Sequence, residues 1–207
     1  MSAISALQEA TKPRQGNRPS YDEAYVIWAL NVIHDEAPVG RLTLMRRLGL
    51  GEASIKTMLR RLREMGLITV DKVGGADVTE KGKQLVDMWK SNVNISQVRL
   101  ASLNWDALQI VLRNGSSLVE KMGVIRMRDL IIKDGAEAAL ITVKSNAGIE
   151  IPPRTEEFSI KSLLEEVTNL SLNFPSGSLI IYVIPRDIHL AHKIGISLME
   201  HESGFAS

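Results

Sequence analysis

The segment GEASIKTMLRRLREMGLI, residues 51–68, combines four cationic side chains with two acidic ones. Positive charge also dominates the surrounding sequence, since residues 41–64 contain seven Lys or Arg and only two Asp or Glu. Such side chains bind phosphate, and arginine and lysine also recognise the guanine edge in the major groove of DNA. The composition is typical of a helix that binds nucleic acid, although a solvated surface helix has the same apolar periodicity.

Two histidines also have a spacing that could do chemistry. His189 and His192 are three residues apart in a predicted helix, so both side chains can share one face and bind a metal ion. The chain has no cysteine, and no HExxH motif or carboxylate cluster completes a site. We therefore expect surface histidines, no metal and no cofactor. The glycine-rich nucleotide motifs and the nucleophile elbow are also missing, which predicts that the protein is not an enzyme.

Composition bounds the class of protein. The 207 residues suffice for one large core or two small ones, and the net charge is only +1. The lack of cysteine favours the cytoplasm. The N-terminus has no secretory signal pattern, and the longest apolar run has seven residues, far fewer than the roughly 20 that a membrane span needs. We expect a cytoplasmic protein with no membrane partner.

The basic segment lies in the N-terminal half, where glycine and proline separate several helical patterns. Residues 1–20 are rich in Pro, Gly, Asn and cations near their end, which predicts a flexible basic arm. Residues 21–91 predict a helix from about 22 to 37, helices at 42–48 and 52–65, a hairpin at Gly74-Gly75 and a fourth helix to about 91. In the third helix, Ile55, Met58, Leu59 and Leu62 form the buried stripe. Arg63 lies on the flank of that stripe, where we expect an intramolecular ion pair.

The run LMRRLGLGEASIKTMLRRLREMGLI resembles the helix-turn-helix core of bacterial and archaeal transcription regulators, and DVTEKGKQLV is similar to the segment after the wing in multidrug-resistance regulators. This resemblance, over residues 22–91, implies a winged helix-turn-helix domain whose third helix enters the major groove of double-stranded DNA. The implied DNA-binding residues are Arg41, Arg46, Arg47, Ala53, Ser54, Lys56, Thr57, Arg60, Arg61 and Lys72. Lys72 is the one cation of the wing, beside Asp71 and Asp77, so the wing should grip DNA weakly. Operators are usually bound by symmetric dimers, so we expect a homodimer.

Residues 92–207 have a different pattern. Strands are predicted at 95–103, 107–113, 138–143, 149–151 and 179–184, and helices at 127–133, 159–170 and 187–201. This alternation indicates an α+β domain with a mixed sheet covered by helices on one face. Three segments resemble the C-terminal half of a group of archaeal winged-helix transcription regulators with a domain of unknown function. These segments are GAEAALITV, GIEIP and GSLIIYVIPRDIHLAHKIG. That resemblance implies dimerisation or the sensing of a small-molecule effector.

These patterns together predict a DNA-binding transcription regulator of the archaeal type, with an N-terminal winged helix and a C-terminal α+β domain. Three alternatives remain open at this point. The winged helix could serve as an adaptor that binds a protein instead of DNA, it could bind RNA, or the C-terminal half could be a small-molecule enzyme.

Overall fold

The computed structural model describes residues 3–14, 16–71, 75–153 and 161–204. The chain divides into two compact units, Met1–Lys90 and Ser91–Ser207, which we call the N-terminal and the C-terminal unit. In the part of the chain that the structure describes, no helix has both the length and the apolar character that crossing a membrane requires.

Helices and one hairpin form the N-terminal unit. Its elements are α1 (Ala3–Thr11), α2 (Glu23–Glu36), α3 (Arg41–Leu48), α4 (Glu52–Glu64), β1 (Ile68–Asp71), β2 (Gly75–Val78) and α5 (Glu80–Asn92). The strands β1 and β2 pair in an antiparallel manner. Val39, before α3, exchanges two backbone hydrogen bonds with Ala76 of β2, at 2.9 and 2.8 Å, and so extends the hairpin by one short bridge.

Local capping explains where these helices begin and end. The Asp22 carboxylate accepts a hydrogen bond from the Tyr25 N–H at 3.1 Å and caps α2. Gly49 ends α3 in the left-handed conformation, with φ 68°, which glycine adopts without steric cost. The Thr79 hydroxyl accepts from the Gly82 N–H at 3.1 Å and caps α5. The turn that begins at Gly49 separates α3 from α4 by three residues.

The prediction of a flexible arm at residues 1–20 was wrong for residues 3–11, which form a packed helix. Ala3, Ala6, Leu7 and Ala10 are buried on one face of α1, at the spacing of an amphipathic helix. Beyond α1, Arg14 and Asn17 exchange backbone hydrogen bonds at 3.1 and 3.0 Å. We call residues 12–20 the arm; its Pro, Gly and Asn content concealed the short alanine-rich helix before it.

The C-terminal unit is built on one five-stranded sheet, and its α+β class is confirmed. Its elements are β3 (Val93–Leu100), β4 (Trp105–Leu112), α6 (Ser116–Met122), α7 (Val124–Asp134), β5 (Ala138–Ser145), β6 (Gly148–Glu150), α8 (Lys161–Leu170), β7 (Leu179–Ile184) and α9 (Ile188–Gly204). Sequence periodicity did not predict α6. The strand order is β3-β4-β7-β5-β6.

Strand direction in this sheet differs from the mixed pairing that we predicted. All four pairings between described strands are antiparallel. The strands β4 and β5 do run in the same direction, as two strands joined by helices often do, but β7 lies between them and pairs with both. The order of strands in space therefore removes the parallel pairing that the order along the chain suggested.

Helices cover both faces of the sheet, whereas the sequence predicted helices on one face only. On one face, Leu163 and Val167 of α8 pack in a core with Ile180 and Tyr182 of β7. Successive strand residues point to opposite faces, and Ile181 between them is fully buried too. The helices α7 and α9, which pack against β5 and β4, lie on that second face. The unbroken apolar run of β7 reflects this central position.

Replacing Gly82 with alanine should destabilise the N-terminal unit by more than about 2 kcal/mol. A Cβ atom at Gly82 would lie 2.0 Å from the Leu67 carbonyl oxygen, so α5 would have to move away from the backbone that leads into β1. Urea unfolding of Gly82→Ala measures the loss. Lys83→Ala, exposed on the same helix, is the control and should unfold like the wild type; equal midpoints for the two variants would contradict the close approach.

Candidate nucleic-acid interface

The candidate interface is built on α4, whose buried stripe is the one the sequence predicted. Ile55, Met58, Leu59 and Leu62 are all buried. The rest of the helix circumference is divided between two neighbours. One flank faces the β1–β2 hairpin, and the other faces the arm.

On the hairpin side, four cations line an open cavity of about 660 Å³, which we call the basic groove. They are Arg41, the first residue of α3, and Lys56, Arg60 and Arg63 of α4. The remaining lining residues are Val39, Gly40, Leu59, Val70, Asp71, Gly75 and Ala76. Arg60 and Arg63 are exposed and make no hydrogen bond or ion pair with another described residue. The groove therefore carries positive charge on a helix without a direct ion pair to Arg60 or Arg63, although both arginines act electrostatically on Glu64, whose pKa they help to lower.

One glutamate balances the other two cations of the groove. Glu52 pairs with Lys56 at 2.8 Å and approaches Arg41 at 3.9 Å. The hydrogen bond from Lys56 and its positive charge lower the pKa of Glu52, so this carboxylate stays ionised at neutral pH. Because the three side chains are exposed to water, these pairs can open at little cost when another anion approaches.

Arg61 is not a surface residue, and its prediction as a DNA contact was wrong. Its side chain is only 4% exposed. The guanidinium Nη1 donates to the Ala10 carbonyl at 3.0 Å and to the Lys12 carbonyl at 2.7 Å. These carbonyls lie at the C-terminal end of α1, where a helix leaves carbonyl groups unpaired and carries partial negative charge. Arg61 therefore ties α1 and the arm to α4.

Arg63 is the residue that the sequence interpretation excluded and that the structure places in the basic groove. At 100° per residue, Arg61 and Arg63 lie on opposite flanks of the buried stripe, each about a quarter turn from its centre. Periodicity alone cannot say which flank is covered. The amphipathic spacing of α1 was the one available signal, because a packed α1 needs a flank of another helix to bury its alanines.

Three of the smaller predicted contacts lie near the start of α4. Ala53 is exposed, whereas Ser54 and Thr57 are partly buried toward the arm. The Ser54 hydroxyl lies 2.7 Å from the Ser20 hydroxyl of the arm. Ser54 and Thr57 are therefore less available to a partner of α4 than Ala53 and Lys56 are.

The remaining predicted contacts lie on α3 and in the hairpin. Arg46 and Arg47 are both exposed on α3, and Arg47 pairs with Glu36 of α2 at 2.8 Å. Arg46 has no hydrogen bond or ion pair to another described residue. Lys72 lies outside the described residues.

The histidine pair in α9 has no metal-site geometry, and the expectation of surface histidines fails for His192. It is 5% exposed, and its Nδ1 lies 2.8 Å from the Ile188 carbonyl oxygen, to which it donates as a neutral ring. Burial lowers the pKa of His192 to about 4. Among the described residues, no three His, Cys, Asp or Glu side chains converge as metal ligands would.

With this geometry in place, comparison with known proteins bears mainly on the C-terminal unit. Residues 103–202 match a family described as "Domain of unknown function (DUF4443)". The predicted resemblance to a domain of that kind is confirmed over this range. No curated protein matches the chain.

A solved structure extends the likeness beyond the C-terminal unit. The hypothetical protein PH0730 from Pyrococcus horikoshii OT3 is 25% identical to this chain. The superposition has a TM-score of 0.66 and covers 86% of this chain and 91% of that one. The protein is therefore similar in fold to an archaeal protein over most of its length.

Arg61→Ala and Arg60→Ala should differ sharply in their effects on stability. Arg61→Ala removes a charged donor from two carbonyls and should lower the free energy of unfolding by about 2–4 kcal/mol. Arg60→Ala, at an exposed neighbour, should change it by less than about 0.5 kcal/mol. Chemical unfolding of the two variants measures the difference. Equal stability would mean that Arg61 does not hold α1 in place.

His192 predicts a loss of stability in mild acid. Its folded pKa, about 4, is below the unfolded value of 6.5, so its contribution is complete above about pH 6.5 and falls as the pH approaches 4. The free energy of unfolding should drop by about 2–3 kcal/mol over that window. His192→Gln should flatten this dependence, whereas His189→Gln, on the same helix, should keep it. Urea unfolding at pH 7 and pH 4.5 tests the prediction. It would be refuted if His192→Gln lost as much free energy of unfolding between these two pH values as the wild type does.

Proposed function

We propose that this protein is a cytoplasmic transcription regulator that binds double-stranded DNA through α4 of a winged helix-turn-helix. The observation that carries the proposal is the basic groove, where Arg60 and Arg63 lie beside the hairpin without a direct ion-pair partner among the described residues. Positive charge concentrated on one helix face is typical of a protein surface that binds nucleic acid.

The arrangement of elements supports the same proposal. The order α2, α3, α4, hairpin, α5 is that of a winged helix-turn-helix, and the short turn that contains Gly49 separates α3 from α4. In that arrangement α4 is the helix that enters the major groove, with its N-terminal residues toward the bases. Ala53 is small and exposed at that end, so a base edge can approach the helix closely.

The structure revises which residues we assign to DNA. Lys56 and Arg60 are the best-placed side chains to meet base edges, since both are exposed on the free face of α4. Arg63 and Arg41 line the same groove and suit phosphate contacts. Arg46 and Arg47 of α3 remain phosphate candidates because both are exposed.

The C-terminal unit is assigned a supporting role in this proposal. A single small module rarely binds an operator tightly, so the regulator would act as a homodimer on two half-sites. The unit that contains the DUF4443 match would dimerise, sense a small molecule, or do both. An effector would regulate binding only if it favoured one arrangement of the two DNA-binding helices over another.

A protein-binding adaptor is the second candidate, and exposed apolar side chains favour it. Leu42 of α3 is 66% exposed and Val70 of β1 is 40% exposed. Apolar side chains gain more from a protein surface than from a phosphate backbone. A pull-down that recovers a protein partner after nuclease treatment, from a protein that retards no DNA, would favour this candidate.

The salt dependence of duplex binding separates the two candidates. The logarithm of the binding constant should fall with the logarithm of salt concentration, with a slope of about −5 for a dimer that contacts about six phosphates. Arg60→Ala with Arg63→Ala should make the slope less steep by about 0.9 for each phosphate that the variant no longer neutralises. Arg126→Ala with Arg128→Ala removes the same charge from exposed positions of α7 and is the control.

The measurement is gel retardation of random and genomic duplexes between about 50 and 200 mM salt. Both double variants should keep wild-type thermal stability, because all four arginines are exposed. Absence of retardation by the wild type at low salt would rule out the proposal. If the wild type does retard DNA, recovery of the bound genomic fragments identifies the operator.

A further inference from the structure

A second cavity lies on the other flank of α4, between that helix and the arm. It has a volume of about 390 Å³, and we call it the arm cavity. Its wall combines four guanidinium groups with several hydroxyl groups, among them Arg14, Arg18, Arg60, Arg61, Ser20, Ser54 and Thr57. A concave site with several charged donors and several hydroxyls has the composition of an anion site.

The positive charge of the arm cavity is only partly balanced. Glu64 is engaged by Arg14 at 2.5 Å. Arg18 and Arg60 have no hydrogen bond or ion pair to another described residue. The charges of Arg61, Arg14 and Arg60 also act together on the Tyr21 phenol, where they oppose the rise in pKa that burial causes. Several guanidinium groups therefore converge on one small region.

Two further features, one of them a buried atom, indicate that this region is a preformed site. Arg61 forms part of the wall, is 4% exposed, and has a buried Nε with no acceptor among the described residues. A buried donor without an acceptor is uncommon and costs free energy. The hydroxyls of Ser20 and Ser54, 2.7 Å apart, join the arm to the first turn of α4. The amides of that turn have no acceptor within the helix and favour an anion.

We propose that the arm cavity binds a phosphoryl group. Arginine forks and hydroxyls around one point match the several acceptor oxygens of phosphate better than the two of a carboxylate. The phosphoryl group can come from the DNA backbone beside the basic groove or from a small phosphorylated molecule. The first source rests on the proposed function, and the second does not.

Arg18→Gln is the variant that tests the site. Arg18 is exposed and unpaired within the described chain, so its loss should leave the fold intact. Lys83→Gln on α5 is the matched control, because it removes one exposed charge from the same unit outside both cavities. Thermal unfolding midpoints in buffer alone should be equal for the wild type, Arg18→Gln and Lys83→Gln, which checks that all three fold equally well.

The first measurement uses inorganic phosphate and pyrophosphate, titrated against chloride at equal ionic strength. A rise in the unfolding midpoint of the wild type and of Lys83→Gln, but not of Arg18→Gln, supports a site for a free phosphorylated molecule. The second measurement is the salt slope of duplex binding. A slope less steep by about 0.9 in Arg18→Gln alone, with affinity reduced about three- to tenfold near 0.1 M salt, supports a backbone phosphate.

The outcomes separate this proposal from the proposed function. If the wild type binds no DNA but phosphate stabilises it through Arg18, the regulator proposal fails and the phosphoryl site stands. If the wild type binds DNA and Arg18→Gln changes neither the slope nor the response to phosphate, the phosphoryl site is overturned and the regulator proposal stands. Lack of both responses in the wild type overturns both.

Discussion

The N-terminal unit depends on one buried cation, the guanidinium group of Arg61. It meets the Ala10 and Lys12 carbonyls at the end of α1, where a helix has unpaired acceptors and partial negative charge. This contact lays the arm along one flank of α4 and partly covers Ser54 and Thr57. The opposite flank stays open, with Lys56, Arg60 and Arg63 exposed. A structural arginine thus determines which arginines are free to bind a partner.

Local sequence signals predicted the elements well and their long-range packing poorly. The helix α4 ends at Glu64, one residue before its predicted end, and β7 has its predicted bounds, because both have strong periodicity or an unbroken apolar run. The errors on Arg61 and Arg63 share one cause, since a helical wheel cannot tell which flank of α4 another helix covers. In the C-terminal unit, the class could be predicted, whereas the insertion of β7 between β4 and β5 depends on non-local pairing.

The charges of the N-terminal unit fall into two groups. Lys12, Arg14, Arg41, Arg47 and Lys56 each have a glutamate partner. Arg18, Arg46, Arg60 and Arg63 belong to the second group, because they are exposed and have no ion-pair partner among the described residues. Like charges held on one small surface repel each other, and the acids nearby are already engaged. A polyanion that approaches this surface would relieve the repulsion and release its own counterions, so attraction to DNA would need few new contacts.

The same arrangement implies that phosphate contacts would outnumber base contacts. Ser54, a potential base-reading hydroxyl, is engaged by Ser20, and Arg61 is buried, which leaves Lys56 and Arg60 as the main side chains toward bases. Two side chains per module can discriminate only a few base pairs, at about 1–3 kcal/mol for each good bidentate pair. Selectivity for an operator would then come from the spacing of two half-sites in a dimer and from DNA shape. The C-terminal unit, as the proposed dimerisation domain, would set that spacing and would contribute to specificity without touching a base.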